Sequence, residues 1–267
     1  MIRQVPPMDP DAPAIVLDIG NSTIGIGTWC RRELKAPLSV PTTDGPGLEK
    51  AFRAHLESIP DGRLGAVIVA SVVPAALKRV RDYVETKVDQ TVLVIGENLP
   101  LPLDLDVRDG RAVGVDRVCA AAAAFDRLQR ACVVVGFGTA VTVDLVSEEG
   151  TFQGGAILPG VRVQLQSLHE HTAQLPEVSA AVPELPYGKS TSEAIQTGVC
   201  RGIAGAVRGI VEGYATSLNF WPQVVATGGD LALLGPLCDC LDTQVSDLVL
   251  CGVGVAYDKH LRERGAR

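Results

Sequence analysis

The sequence offers no net positive charge: 31 acidic residues outnumber 24 basic ones, leaving a formal charge of -7 and a pI near 5.1. A nucleic-acid footprint needs a clustered basic face, so that partner class is excluded. An anionic substrate must instead be met by local cations. No apolar run approaches the roughly 18 residues of a membrane helix, and no membrane partner is expected. Residues 1–13 are polar and proline-rich, without the apolar centre of a secretory signal. They read as a flexible N-terminal arm on a cytoplasmic protein. Seven scattered cysteines include one close pair, Cys238 and Cys240, with no second pair to complete a zinc site; reduced thiols are expected. His169 and His171 stand two apart, a spacing that separates them on a helix and argues against a metal pair.

Two nucleotide motifs also fail. Gly188-Lys189-Ser190 resembles the end of a P-loop, but Pro183 stands where the first glycine is required. Gly25-Ile26-Gly27 runs into Thr28, Trp29 and Cys30, so the dinucleotide fingerprint is missing.

What remains is an alternation of buried strands and helices. Strand patterns fall at Ile15–Leu17, Ile24–Trp29, Gly65–Val73, Thr91–Ile95, Thr151–Leu158 and Val224–Thr227. Helical patterns fall at Gly47–Ser58, from Pro74, and at Asp116–Gln129, Val161–Leu168, Thr191–Ser217 (with a break expected near its glycines), Asp230–Leu237 and Gly252–Arg262. That order is α/β, and 267 residues suggest about two domains. A short repeat supports a duplicated plan. Ile15-Val-Leu-Asp-Ile-Gly-Asn-Ser-Thr-Ile lies over Val133-Val-Val-Gly-Phe-Gly-Thr-Ala-Val-Thr: an apolar strand, a glycine, small polar residues, a second strand. The halves are cut at 14–130 and 131–267.

The polar turns carry the chemistry. Gly20 permits a tight turn and close approach to a phosphate, with Asn21 and Ser22 as donors beside it. Asp18 suits Mg²⁺, which favours few carboxylates and many waters. Gly138 and Thr139 repeat the arrangement, with Thr142 and Asp144 on the following strand. Gly228-Gly229 sits between strand and helix, where adenine can slide against backbone and helix N–H groups can meet anionic oxygens. Gly114-Val-Asp116-Arg117 opens an alanine-rich helix. There a carboxylate can take a substrate hydroxyl's proton during phosphoryl transfer, and an arginine can fork onto a carboxylate.

In chain order, Asp18-Ile-Gly-Asn-Ser, Gly114-Val-Asp-Arg, Gly138-Thr-Ala-Val-Thr-Val-Asp, Gly154-Gly-Ala-Ile-Leu-Pro-Gly, Thr172-Ala-Gln-Leu-Pro, Gly188-Lys-Ser-Thr and Thr227-Gly-Gly-Asp resemble the type III pantothenate kinases of the actin/sugar-kinase/Hsp70 phosphotransferase superfamily. The resemblance implies two duplicated ribonuclease-H-like (actin-like ATPase) domains with a cleft between them, a homodimer, and transfer of the ATP γ-phosphate to pantothenate, the first step towards coenzyme A. It implies Asp116 as general base; Gly114, Val115, Arg117, Thr191 and His171, the last from a dimer partner, as pantothenate contacts; Asp18, Ile19, Gly20, Asn21 and Ser22 as the first phosphate loop; Gly138 and Thr139 as the second; and Gly228 and Gly229 beside adenosine. Mg²⁺ is the implied divalent cofactor, held at Asp18 directly or through water, and K⁺ or NH₄⁺ a common monovalent one.

The sequence departs from the family in three places. Ser22 replaces a threonine and keeps the hydroxyl. Gly136 stands where the family has the aspartate of its monovalent-cation site, and the repeat sets the same position over Asp18. Val107-Arg-Asp-Gly lacks the aromatic and proline often found before Gly114. Two alternatives stay open: a weakly active or non-catalytic relative serving transcription, and a kinase of another small hydroxy acid.

Overall fold

The computed structural model describes residues 12–265. Most of the arm expected over 1–13 therefore lies outside the described residues. Two five-stranded sheets dominate, ordered β3-β2-β1-β4-β5 and β10-β9-β6-β7-β8. In the first, β1 (Ala14–Ile19), β2 (Thr23–Cys30) and β3 (Glu33–Pro41) form an antiparallel meander, and β4 (Ala66–Ser71) and β5 (Val92–Val94) join parallel to β1. In the second, β6 (Cys132–Phe137), β7 (Ala140–Val146) and β8 (Phe152–Pro159) repeat the meander, and β9 (Gln223–Thr227) and the two-residue β10 (Thr243–Gln244) repeat the parallel side. Each sheet thus has the same order and sense of strands, as a duplication requires.

Helices connect the strands as the sequence pattern predicts. In the first half these are α1 (Gly45–Glu57), capped by Asp44 on the Gly47 N–H, α2 (Pro74–Tyr83) and α3 (Val115–Leu128). In the second half they are α4 (Val161–Glu170), α5 (Thr191–Leu218) and the short α6 (Leu231–Leu234), continued by a 3₁₀ turn. No break occurs in α5. Its glycines at 198, 202, 205, 209 and 213 have open space where a Cβ would stand. Each costs about 1 kcal/mol of helix propensity, but the stripe Ile195, Val199, Ile203, Val207 and Val211 buries the opposite face and holds the helix.

By internal contacts the chain forms two units. One comprises the described residues through Asp104, Arg108–Arg127 and those from Asp247 onward; the other comprises Leu105–Val107 and Leu128–Ser246. The cut at 130/131 is therefore not the whole division, because α7 (Leu248–Gly265) packs against the first sheet. Two glycines let it come close. The Gly254 Cα faces the Trp29 indole, 2.1 Å from where a Cβ would lie, and Gly252 meets the Cys119 carbonyl of α3 at 1.8 Å on the same measure. Asp258 of α7 accepts from Trp29 Nε1 at 3.0 Å. Gly252→Ala should therefore destabilise by about 2–3 kcal/mol, since its neighbour is backbone and cannot rotate away. Chemical denaturation would measure this, and an unchanged midpoint would refute the close crossing.

The core of the first unit gathers Ile15, Leu17, Ile19, Ile24, Ile26 and Phe52; that of the second gathers Val133, Val135, Phe137, Val141, Val207 and Val211. Among the described residues no helix is long and apolar enough to cross a membrane. All seven cysteines are free.

Candidate active site

The expected site residues fall into two groups, one in each unit. In the first unit, Asp18 is the penultimate residue of the central strand β1, opposite Gly25 in β2 and Ala70 in β4. Both of these neighbours are small. The Asp18 side chain retains some access to solvent, but Oδ1 is buried without a hydrogen-bond partner. Burial, and then the negative charge of Asp116, push its pKa up to about 7. The fold thus brings these two carboxylates together from β1 and from the first turn of α3.

Asp116 owes its place to its motif. Its Oδ1 accepts the Arg117 N–H at 2.9 Å, and the same oxygen lies 2.5 Å from where a Gly114 Cβ would be. The carboxylate folds back over Gly114, whose lack of a side chain leaves it room. One turn further along α3, Cys119 is fully buried, its thiol pushed up by burial and by Asp18 and Asp116. It stays protonated and inert.

The turn after Asp18 is closed by the Gly20 N–H donating to Thr23 O at 3.0 Å. Asn21 and Ser22 are exposed at its tip, and Ile19 is buried beneath it. Thr42, which the sequence reading missed, donates through Oγ1 to Gly20 O at 2.9 Å and through its N–H to Ser22 O at 3.0 Å.

In the second unit, Gly138 closes its turn by donating to Ala140 O at 3.1 Å, and Thr139 is exposed at the tip. This turn is one residue shorter. Ile19 pairs with Ile24, but Phe137 pairs with Val141, so the gapless repeat slips by one after the glycine and Thr142 is the counterpart of Gly25. Gly136 accordingly lies between Thr142 and Thr227, and Thr142 Oγ1 stands 2.8 Å from where its Cβ would be. The carboxylate of one half is exchanged for a facing hydroxyl in the other. Gly228 (φ +108°) presses against the Phe137 backbone, 2.2 Å from its carbonyl on the Cβ measure, and the Asp230 N–H donates to that carbonyl at 3.0 Å. Gly228 and the second turn are thereby brought together, while Gly229 has open space.

Other expectations have structural explanations. Gly154 (φ +96°) and Gly155 lie inside β8, where they admit Val107 and the buried Asp144. Gly188-Lys189-Ser190 is a helix cap: Ser190 Oγ accepts from Glu193 N at 3.3 Å, and Glu193 accepts from Lys189 N at 2.6 Å. Thr191 then opens α5 on the surface, and His171 ends α4, also exposed. No cluster of three metal-ligating side chains occurs among the described residues.

The family model for type III pantothenate kinases matches residues 14–213. This chain belongs to the type III pantothenate kinase family. Relatives carrying that family name include one from Moorella thermoacetica, 32% identical over 92% of this chain and 99% of its own length. Another, from Syntrophotalea carbinolica, is 34% identical over 94% and 99%. Among solved structures, a conserved Baf-family protein from Campylobacter jejuni aligns with a TM-score of 0.58 at 18% identity, covering 94% of this chain and 98% of that one. A ROK-family glucokinase from Streptomyces griseus, solved with glucose and AMPPNP, aligns at 0.50 with 14% identity over 92% and 98%. These likenesses show the shared fold, the duplicated ribonuclease-H-like architecture of actin-like ATPases and sugar kinases. Membership of a kinase family brings with it the use of ATP and a divalent metal.

Proposed function

We propose that this chain transfers the γ-phosphate of ATP to the hydroxyl of pantothenate, giving 4'-phosphopantothenate for coenzyme A synthesis in the cytoplasm. The observation that carries the proposal is the pair of neighbouring carboxylates in the first unit, one with an unsatisfied buried oxygen. Asp18, held beside a second acid at a cost to its own ionisation, fits a site that receives positive charge, with a proton acceptor at hand. Asp116 is the base for the pantothenate hydroxyl. Gly114, Val115, Arg117 and Thr191 contact pantothenate, joined by His171 from the second subunit of a homodimer. Ile19, Gly20, Asn21 and Ser22 in one hairpin, and Gly138 and Thr139 in the other, hold phosphate oxygens; Gly228 and Gly229 border the adenosine. Catalysis is then mainly positioning and charge stabilisation. The halves 14–130 and 131–267 descend from one duplicated unit, which the matching strand orders support.

The orphaned Oδ1 of Asp18 fits Mg²⁺, directly or through water. Bound there, the ion supplies neutralisation of phosphate charge. A monovalent cation fits poorly: position 136 has no side-chain oxygen, and the Thr142 hydroxyl stands in the space a Cβ there would need. Turnover should therefore be the same in Na⁺ as in K⁺ or NH₄⁺.

A coupled ADP-release assay with ATP, Mg²⁺ and pantothenate, run in each cation, tests both statements. Pantothenate-dependent release of ADP, changing less than about twofold between cations, is the expected result. A strong requirement for K⁺ would overturn the reading of Gly136. No release from folded protein in any cation would move the assignment to another hydroxy acid or to a non-catalytic relative.

A further inference from the structure

The third strand of each half ends on a proline, Pro41 in β3 and Pro159 in β8. The next residue's N–H then donates into the hairpin turn: Thr42 to Ser22 O at 3.0 Å, Gly160 to Thr139 O at 2.9 Å. Beyond that the halves differ. Gly160 has no side chain, and the Gly138 carbonyl lies 2.0 Å from where its Cβ would stand, so strand and turn meet backbone to backbone. At the equivalent place a hydroxyl spans the gap, because Thr42 Oγ1 donates to the carbonyl of Gly20, the counterpart of Gly138, at 2.9 Å. Thr42 is 8% exposed, and its own carbonyl accepts from Arg79 Nη2 of α2 at 2.8 Å. The residue is thus fixed on one side and grips the turn on the other.

The grip has a directional consequence. A trans peptide sets its C=O and N–H on opposite edges of one plane. Binding the Gly20 carbonyl to Thr42 therefore aims the Asn21 N–H away from Thr42, towards the face where Asn21 and Ser22 are exposed. Left free to rotate, the same peptide could present its carbonyl there, which would repel a phosphate. We infer that Thr42 is a positioning residue for phosphoryl transfer, its hydroxyl setting the Gly20–Asn21 peptide so that the Asn21 N–H meets a phosphate of ATP. This rests on reading the first hairpin as a phosphate hairpin.

Thr42→Val keeps the shape and removes the hydroxyl; Thr42→Ser keeps the hydroxyl. In kinetics with ATP varied and pantothenate saturating, Thr42→Val should raise KM for ATP about tenfold, the effect of one hydrogen bond. KM for pantothenate should stay put, and Thr42→Ser should return to within about twofold of wild type. A Val variant within twofold of wild type in both kcat and KM for ATP would overturn the inference, even with a lowered melting temperature. So would a Ser variant as impaired as Val. Direct titration of the three proteins with ATP separates the two readings. If the wild type binds ATP but phosphorylates no pantothenate, the acceptor assignment falls, and equal ATP affinities would still overturn Thr42's role. A wild type without affinity for ATP overturns both.

Discussion

Asp116→Asn should lower kcat by about 10²–10⁴, the span typical of a lost general base, in a protein that folds as before. The structure makes this substitution informative. Asparagine keeps an Oδ1 that can accept the Arg117 N–H, the bond that Asp116 makes at 2.9 Å, and it fits over Gly114 in the same way. The start of α3 is therefore preserved while the proton acceptor is removed. The charge facing Asp18 disappears as well, so the Asp18 carboxyl should titrate lower than in the wild type. Near-normal kcat, with an unchanged melting curve, would remove Asp116 from the chemistry.

Asp18→Asn should move stability and activity in opposite directions. In the folded chain the Asp18 carboxyl keeps its proton up to about pH 7, whereas its ordinary value is 3.8. Between those values the folded state binds more protons than the unfolded one, so stability falls as pH rises through that window and stays low above it. Asparagine is neutral throughout and lacks the fall. At pH 8 without divalent metal the variant should be more stable than wild type by on the order of 2 kcal/mol, a figure reduced for the side chain's partial access to water. Near pH 4 the two should converge. Turnover, in contrast, should drop at least about 100-fold through the lost charge on the phosphate side. Melting curves from pH 4 to 8 together with the ADP assay read both effects. A variant less stable at pH 8, or one that keeps its turnover, would mean that Asp18 is a structural acid.

Much of this was legible in the sequence, for local reasons. Apolar runs ending in glycine and small polar residues announced β1 with β2 and β6 with β7, because a tight turn between buried strands leaves few other residue choices. The influence of Asp116 on Asp18 was not legible, since it acts through space between residues nearly a hundred positions apart in the chain. The strand β3 was missed because it is an edge strand, largely exposed, and its prolines at 37 and 41 mask the alternation of Leu34, Ala36, Leu38 and Val40. The one-residue difference between the hairpin turns was hidden for another reason. Residues on both sides of Val141 and Ile24 alternate in much the same way, so only the hydrogen-bonded register separates the alignments. Thr42 left no signal of its own. Its role arises through space, and the sequence clue was the shared proline that precedes it and Gly160.

The path of the chain also bears on how the protein is made. The first sheet, with Trp29 and Gly25, is covered by α7, through Leu250, Gly254 and Asp258. A ribosome delivers residues in order, so strands β1 to β5 emerge early and must wait for a helix translated after the entire second sheet. The later-translated half can complete its own core first. Until Leu248–Gly265 leaves the exit tunnel, the nascent first half presents an apolar sheet face, the kind of surface that molecular chaperones bind.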